Sequence, residues 1–132
     1  MHLRQQQKQD FMEKHFSKKS GLGYNFGRCH INSCDFSLDI YNYVQNGDTD
    51  LSTFNLDRER KYVIPFIKDA QKYTGQDLML FASPWSPPAY MKQNESAVEG
   101  GSLKEEYMAV WANYYCRFIK EMETEGIVIS AI

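Results

Sequence analysis

The stretch LFASPWSPPAYMK, residues 80–92, starts as a core strand and then stops. Leu80, Phe81 and Ala82 extend the apolar run begun by Leu78 and Met79, and the next positions are Ser83, Pro84, Trp85, Ser86, Pro87 and Pro88. Each proline removes a ladder donor and fixes its own φ, so a strand over 78–82 is expected to leave the sheet at once and carry a tryptophan onto a stiffened loop. A short apolar run without polar alternation is the mark of a strand covered on both faces, as in parallel sheets.

The segments around it agree. Residues 3–18 read as an amphipathic helix with Phe11, Met12 and Phe16 on one side, ended by Lys18, Lys19, Ser20 and Gly21. Residues 24–31 read as a strand. Asp57 is placed to cap a helix whose apolar positions Val63, Phe66, Ile67, Ala70 and Tyr73 follow a 3.6 period up to Thr74 and Gly75, with Pro65 expected to separate or kink its first turn. Residues 104–123 carry Tyr107, Trp111, Tyr114, Phe118 and Met122 down one helical face, and IVISAI, 127–132, is another apolar strand. Every strand-to-strand connection passes through a helix, which predicts an α/β fold with parallel strands buried on both faces. A doubly wound sheet and part of a (β/α)8 TIM barrel both satisfy this pattern. A closed barrel needs about 250 residues, and the chain has 132 and ends inside an apolar strand, so the expectation is a fragment, with about three β/α units of a barrel if the barrel is the architecture.

Composition narrows the function classes. The chain is 42% hydrophobic and 24% charged, the make-up of one globular domain. It has no run approaching the roughly 18 apolar residues of a membrane span. A net charge of -2 offers no basic field for nucleic acid. Cys29, Cys34 and Cys116 are odd in number and lack CxxC spacing, which argues against zinc and a disulfide framework and for small buried hydrophobes. Gly21, Gly23 and Gly27 miss the dinucleotide-binding spacing and precede the strand they would have to follow. Asn94, Glu95 and Ser96 form a glycosylation sequon, a triplet common by chance.

In either architecture the functional residues lie just past the strand C-termini. After the first strand, GRCHINSCDFSLD places Arg28 and His30 on one face and Asp35 out on the loop; after the second comes Trp85. A loop aromatic beside an aspartate and an arginine is what a sugar site needs. A pyranose offers a C–H face for an aromatic wall and hydroxyls for a carboxylate to accept from, and an arginine can orient a further carboxylate through a two-pronged hydrogen bond. Each residue also has a plain packing explanation. Trp85 could cap a core, Arg28 could pair with any acid, and His30 and Tyr24 fit the filling of a barrel interior.

The blocks GLGYNFGRCHINSCDFSLDIYNY, LFASPWSPPAYMK and GGSLKEEYMAVWANYYCRFIKEMETEGI, in this order and spacing, resemble glycoside hydrolase family 30, which includes glucosylceramidases and β-1,6-glucanases. The resemblance covers the chain from Gly21 onward. It implies a catalytic (β/α)8 barrel with an attached β-sandwich, of which residues 1–132 would run from the first barrel helix to the fourth strand. It further implies that Arg28 holds the catalytic nucleophile, that Asp35 binds hydroxyls of the sugar to be cleaved, and that Trp85 lines the same subsite. Cys29 departs from the valine usual after the arginine, a change expected to touch packing.

Such enzymes hydrolyse β-glycosides with retention, using two glutamates about 5 Å apart. By the resemblance the acid/base stands in an Asn-Glu-Pro motif beyond the fourth strand and the nucleophile on a later strand, so both are expected outside this chain. Glu95, Glu99, Glu105 and Glu106 fall on a loop and a helix start and are not substitutes. The implied partner is a carbohydrate or glycolipid, with no metal or organic cofactor, in a parent enzyme that is secreted, periplasmic or lysosomal. The alternative reading is a non-catalytic carbohydrate-binding or scaffold module.

Overall fold

In the computed structural model, which describes residues 4–132, two strands pair in parallel: β1 (Phe26–Ile31) and β2 (Met79–Pro84), with Phe26 opposite Met79 and Ile31 opposite Pro84. The predicted helix at 3–18 is α1 (Gln5–Phe16), and its first expected residue, Leu3, lies outside the described residues. Gly21 is required where the chain turns back under this helix, because a Cβ there would collide with the carbonyls of Glu13 and Lys14. The middle helix is split into α2 (Asp57–Lys61) and α3 (Val63–Thr74) by Tyr62, whose φ of -131° and ψ of -65° are not helical. Pro65 explains the break. Its ring would clash with the carbonyl of Lys61 in a continuous helix, whereas in the first turn of a new one its missing N–H has no bond to lose. Gly75 closes α3 with φ at 68°. A single turn of 3-10 helix, Glu105–Tyr107, leads into α4 (Met108–Thr124).

Three expectations need correction. Asp57 is not a cap: the helix-entry residue is Leu56, and Asp57 is the first helical residue, an acidic group at the positive end of the helix. The second strand does not stop at Ala82 but runs through Ser83 and Pro84. Alternation explains why the proline is tolerated. The N–H groups of Leu80 and Ala82 point away from β1, to Ser130 Oγ (3.2 Å) and the Ala131 carbonyl (2.9 Å), so Pro84 lacks a donor only on that side. Residues 127–132 lie beside β2 in parallel, through one bridge between Phe81 and Ala131 and the bond from Ser130 N–H to the Leu80 carbonyl (2.8 Å), rather than as a full strand.

The sheet is covered on one face only. Cys29 and Ile31 from β1 and Leu80 and Ala82 from β2 are buried in one cluster with Ile64, Ile67 and Ala70 of α3 and Trp111, Tyr114, Phe118 and Met122 of α4. The opposite face presents Phe26, Arg28 and Met79 to solvent, where the sequence pattern predicts burial on both sides. The apolar run hides this difference because its outward residues are as hydrophobic as its inward ones. Tyr24, expected as barrel filling, is half exposed beside His15, with ring centroids 6.2 Å apart. Helix α1 lies against α3 through Phe16 and Phe66, whose rings meet edge-on at 5.9 Å, and through the Lys8–Asp69 ion pair. Helix α2 is tied to the end of α4 by Arg60, which reaches Glu125 at 2.7 Å and Glu121 at 3.2 Å.

Glu59 is buried amid the charged run Asp57–Lys61, and its Oε1 accepts the hydroxyls of Tyr43 (2.6 Å) and Tyr41 (2.8 Å). The Tyr43 hydroxyl is held well above the ordinary tyrosine range, first by burial and then by the Glu59 charge and hydrogen bond. Burial is also the main cause of the upward shifts of Tyr41 and Tyr114. A raised folded value means that the unfolded chain gives up the proton first, so this contribution to stability is complete below the unfolded value of about 10 and declines above it. Urea titrations should therefore give an unfolding free energy that drops as pH rises past about 10. Tyr43→Phe should flatten that drop and, at neutral pH, destabilise the fold by about 1–3 kcal/mol by withdrawing a donor from a buried side chain.

Candidate functional site

Asn32 is the first residue after β1, and it has a left-handed backbone, with φ at 65°. Asparagine tolerates that conformation better than most residues, and here it turns the chain out of the strand. Its side chain is buried and engaged at both ends: Nδ2 donates to the Ser86 carbonyl (3.2 Å) and Oδ1 accepts from the Tyr114 hydroxyl (2.5 Å). The Tyr114 oxygen accepts in turn from the Tyr43 N–H at 2.7 Å. His30, half-buried on β1, directs Nδ1 to the Asn32 carbonyl at 2.6 Å, which requires the proton on that nitrogen. The loops after β1 and β2 are thus fastened to each other and to α4 through one amide.

Between these loops lies a cleft of about 440 Å³ at the C-terminal ends of both strands. Its walls include Asp35, Asp39 and Tyr41 from the first loop and Trp85 and Ser86 from the second. Asp35 stands in a tight turn in which Ser37 N–H bonds to the Cys34 carbonyl (2.9 Å) and Ser37 Oγ receives Cys34 N–H (3.0 Å), leaving its carboxylate exposed. Tyr41 closes the same loop, its carbonyl accepting Ser33 N–H at 3.0 Å. Arg58 lies 4.0 Å over the Tyr41 ring and grips Asp39 with two N–H donors, holding that carboxyl below the usual aspartate range chiefly through the hydrogen bond. Trp85 is 53% exposed and lines the cleft.

Asp35 and Trp85 line the same cleft, and Arg28 lies outside it. Arg28 projects from the open face of the sheet, with Nε held by Ser83 Oγ at 2.6 Å. Among the described residues no carboxylate pairs with its guanidinium, so its two Nη groups are available to a carboxylate. Glu95, Glu99, Glu105 and Glu106 are exposed and do not line the cleft; Glu95 pairs with Lys104 at 3.3 Å. Cys29, Cys34 and Cys116 are free thiols, with Cys29 buried and its thiol pushed up to about 11 mainly by that burial.

Sequence reasoning passed over Asn32, Glu59 and Lys92. Asn32 had a usable signal, an asparagine directly after an apolar strand, where a positive φ is common. Glu59 had none, because it sits in the charged run DRERK, where nothing marks one residue as the buried one. Lys92, 3% exposed, looks from sequence like any surface lysine.

All 132 residues match the model of the glycosyl hydrolase family 30 TIM-barrel domain. The lysosomal acid glucosylceramidase of Mus musculus is 34% identical over an alignment of 130 positions that covers 94% of this chain and 25% of that protein. Among solved structures, SrfJ of Salmonella typhimurium superposes with a TM-score of 0.89 at 34% identity, over 96% of this chain and 28% of that one. An endo-β1,6-glucanase superposes at 0.84 with 26% identity, over 96% of this chain and 29% of its own. The chain spans about a quarter of the length of the curated relatives it matches. With parallel strands, intervening helices and a cleft at the strand ends, the chain belongs to the TIM-barrel domain of glycosyl hydrolase family 30.

Proposed function

We propose that the chain supplies part of the sugar-binding wall of a retaining β-glycosidase acting on β-glucosidic bonds of a carbohydrate or glycolipid. The observation that carries this reading is the pairing of Asp35 and Trp85 across one cleft at the strand C-termini. Asp35 accepts from sugar hydroxyls, and the open face of Trp85 stacks on the C–H face of the ring. The free Nη groups of Arg28 suit a nucleophilic carboxylate, which they would orient and keep ionised. No helix among the described residues is long and apolar enough to cross a membrane.

In this reading the 132-residue chain binds sugar without cleaving it. Retaining hydrolysis needs one carboxyl group that gives a proton and another, about 5 Å away, that attacks the anomeric carbon. The carboxyl groups in the cleft are Asp35 and Asp39. Asp39, depressed by Arg58, holds no proton to give near neutral pH. The chain should therefore hydrolyse an aryl β-glucoside no faster than buffer, and turnover that stays with the chain through purification would refute this part of the proposal.

In a complete barrel carrying this segment, the three side chains should separate kinetically. Arg28→Met should lower kcat by roughly 10²-fold or more, since it removes a charge that matters most as the nucleophile attacks. Asp35→Ala should reduce kcat/KM by about 1.5–3 kcal/mol, the scale of a charged hydrogen bond. Trp85→Phe should be milder than Trp85→Ala because it keeps an apolar wall. Steady-state kinetics on folded variants check the set, and near-unchanged kcat/KM for both Arg28→Met and Asp35→Ala would overturn the assignment.

A further inference from the structure

Trp85 lacks a side-chain anchor among the described residues. Its indole makes no hydrogen bond and meets no other aromatic ring there, and half of it is exposed. With no polar or aromatic side-chain anchor, its direction depends strongly on the backbone on either side. On one side Pro84 is fixed by the β-ladder opposite Ile31. On the other is Ser86, held at two atoms by side chains outside its own turn: its carbonyl by Asn32, 54 residues earlier, and its Oγ by the Lys92 ammonium at 3.2 Å. That hydroxyl donates onward to the Pro87 carbonyl at 3.1 Å, so its rotor is set as well.

Lys92 is an odd choice for this task if fold stability is its purpose. The side chain is 3% exposed, and no carboxylate pairs with it among the described residues. Taking an ammonium out of water is unfavourable by several kcal/mol, and one hydroxyl does not offset that. Its backbone is fixed independently, through the antiparallel bridge to Leu103 and the bond from its N–H to the Ala89 carbonyl (3.0 Å). The Lys104 N–H to Met91 carbonyl bond (2.8 Å) secures the same turn. What the ammonium adds is a charge-assisted hydrogen bond with a defined direction to the residue beside Trp85.

We propose that Lys92 and Ser86 are a positioning pair that sets the angle at which the Trp85 indole faces the cleft, with fold stability traded for that alignment. The proposal deepens the sugar-cleft reading and rests on it for its functional meaning. It distinguishes Lys92 from a structural lysine: replacing it should leave the fold intact or firmer while loosening one indole.

The chain contains two tryptophans, so 5-fluorotryptophan labelling gives two 19F resonances, assigned with Trp85→Phe. Lys92→Met, which keeps the apolar stem, should shift and broaden the Trp85 resonance, leave that of Trp111 in place, and not lower the melting temperature. Ser86→Ala should produce the same change, and the double variant should add nothing to either single one. An unmoved Trp85 resonance in Ser86→Ala, a variant of a half-buried loop hydroxyl that threatens the fold little, overturns the proposal even if Lys92→Met fails to fold. Additive changes in the double variant overturn it too. Titration of the unmodified chain with methyl β-D-glucoside tests the underlying reading separately. A Trp85 resonance that ignores the sugar rejects the sugar cleft, while the response to Lys92→Met and Ser86→Ala still decides whether the pair sets the indole. Where both hold, each variant should weaken glucoside binding severalfold.

Discussion

The Asn32 side chain spends both ends of its amide on elements that the chain reaches only 54 and 82 residues later, Ser86 and Tyr114. Buried amides of this kind are demanding, since a donor or acceptor left without a partner is unfavourable by about 1–3 kcal/mol. The demand is what fixes the geometry. Two loops that leave neighbouring parallel strands have no reason of their own to face one another, and here the amide closes one onto the other with α4 as backing. The left-handed backbone of Asn32 is part of the same arrangement, because it turns the loop carrying Asp35 toward the loop carrying Trp85.

From that point the site divides the work by physical type. Asp35 is exposed at a turn and gives an acceptor; Trp85 gives a surface; Arg28, on the open sheet face, gives a charge held at Nε by Ser83. Asp39, the other carboxyl group in the cleft, is committed to Arg58 and to the loop's own structure. Tyr41 links this wall to the buried Glu59, so the cleft and the core share a hydrogen-bonded boundary. In the proposed function the arrangement serves binding and orientation.

Much of this could be read from the residues. The period of Trp111, Tyr114, Phe118 and Met122 marked α4, Pro65 marked the split between α2 and α3, and the prolines around Trp85 marked a loop at a strand end. The likeness to family 30 then gave Arg28, Asp35 and Trp85 the roles proposed for them. What the residues hid was directional. Hydrophobicity could not say that Phe26 and Met79 face solvent while Leu80 and Ala82 face helices, because all are apolar. Nor could it say that Glu59 and Lys92 point inward, since Glu59 stands in a charged run and Lys92 carries the side chain of an ordinary surface residue. The hydrogen bonds of Asn32 join positions too far apart for any local pattern to record.

The most direct test is a crystal structure of a complete barrel carrying this segment with a β-glucoside bound. The account predicts the Asp35 carboxylate within hydrogen-bonding distance of ring hydroxyls, the Trp85 indole against the C–H face of the same sugar, and the Arg28 guanidinium turned to a glutamate beneath it. A glucoside bound elsewhere in the barrel, touching neither Asp35 nor Trp85, would contradict it.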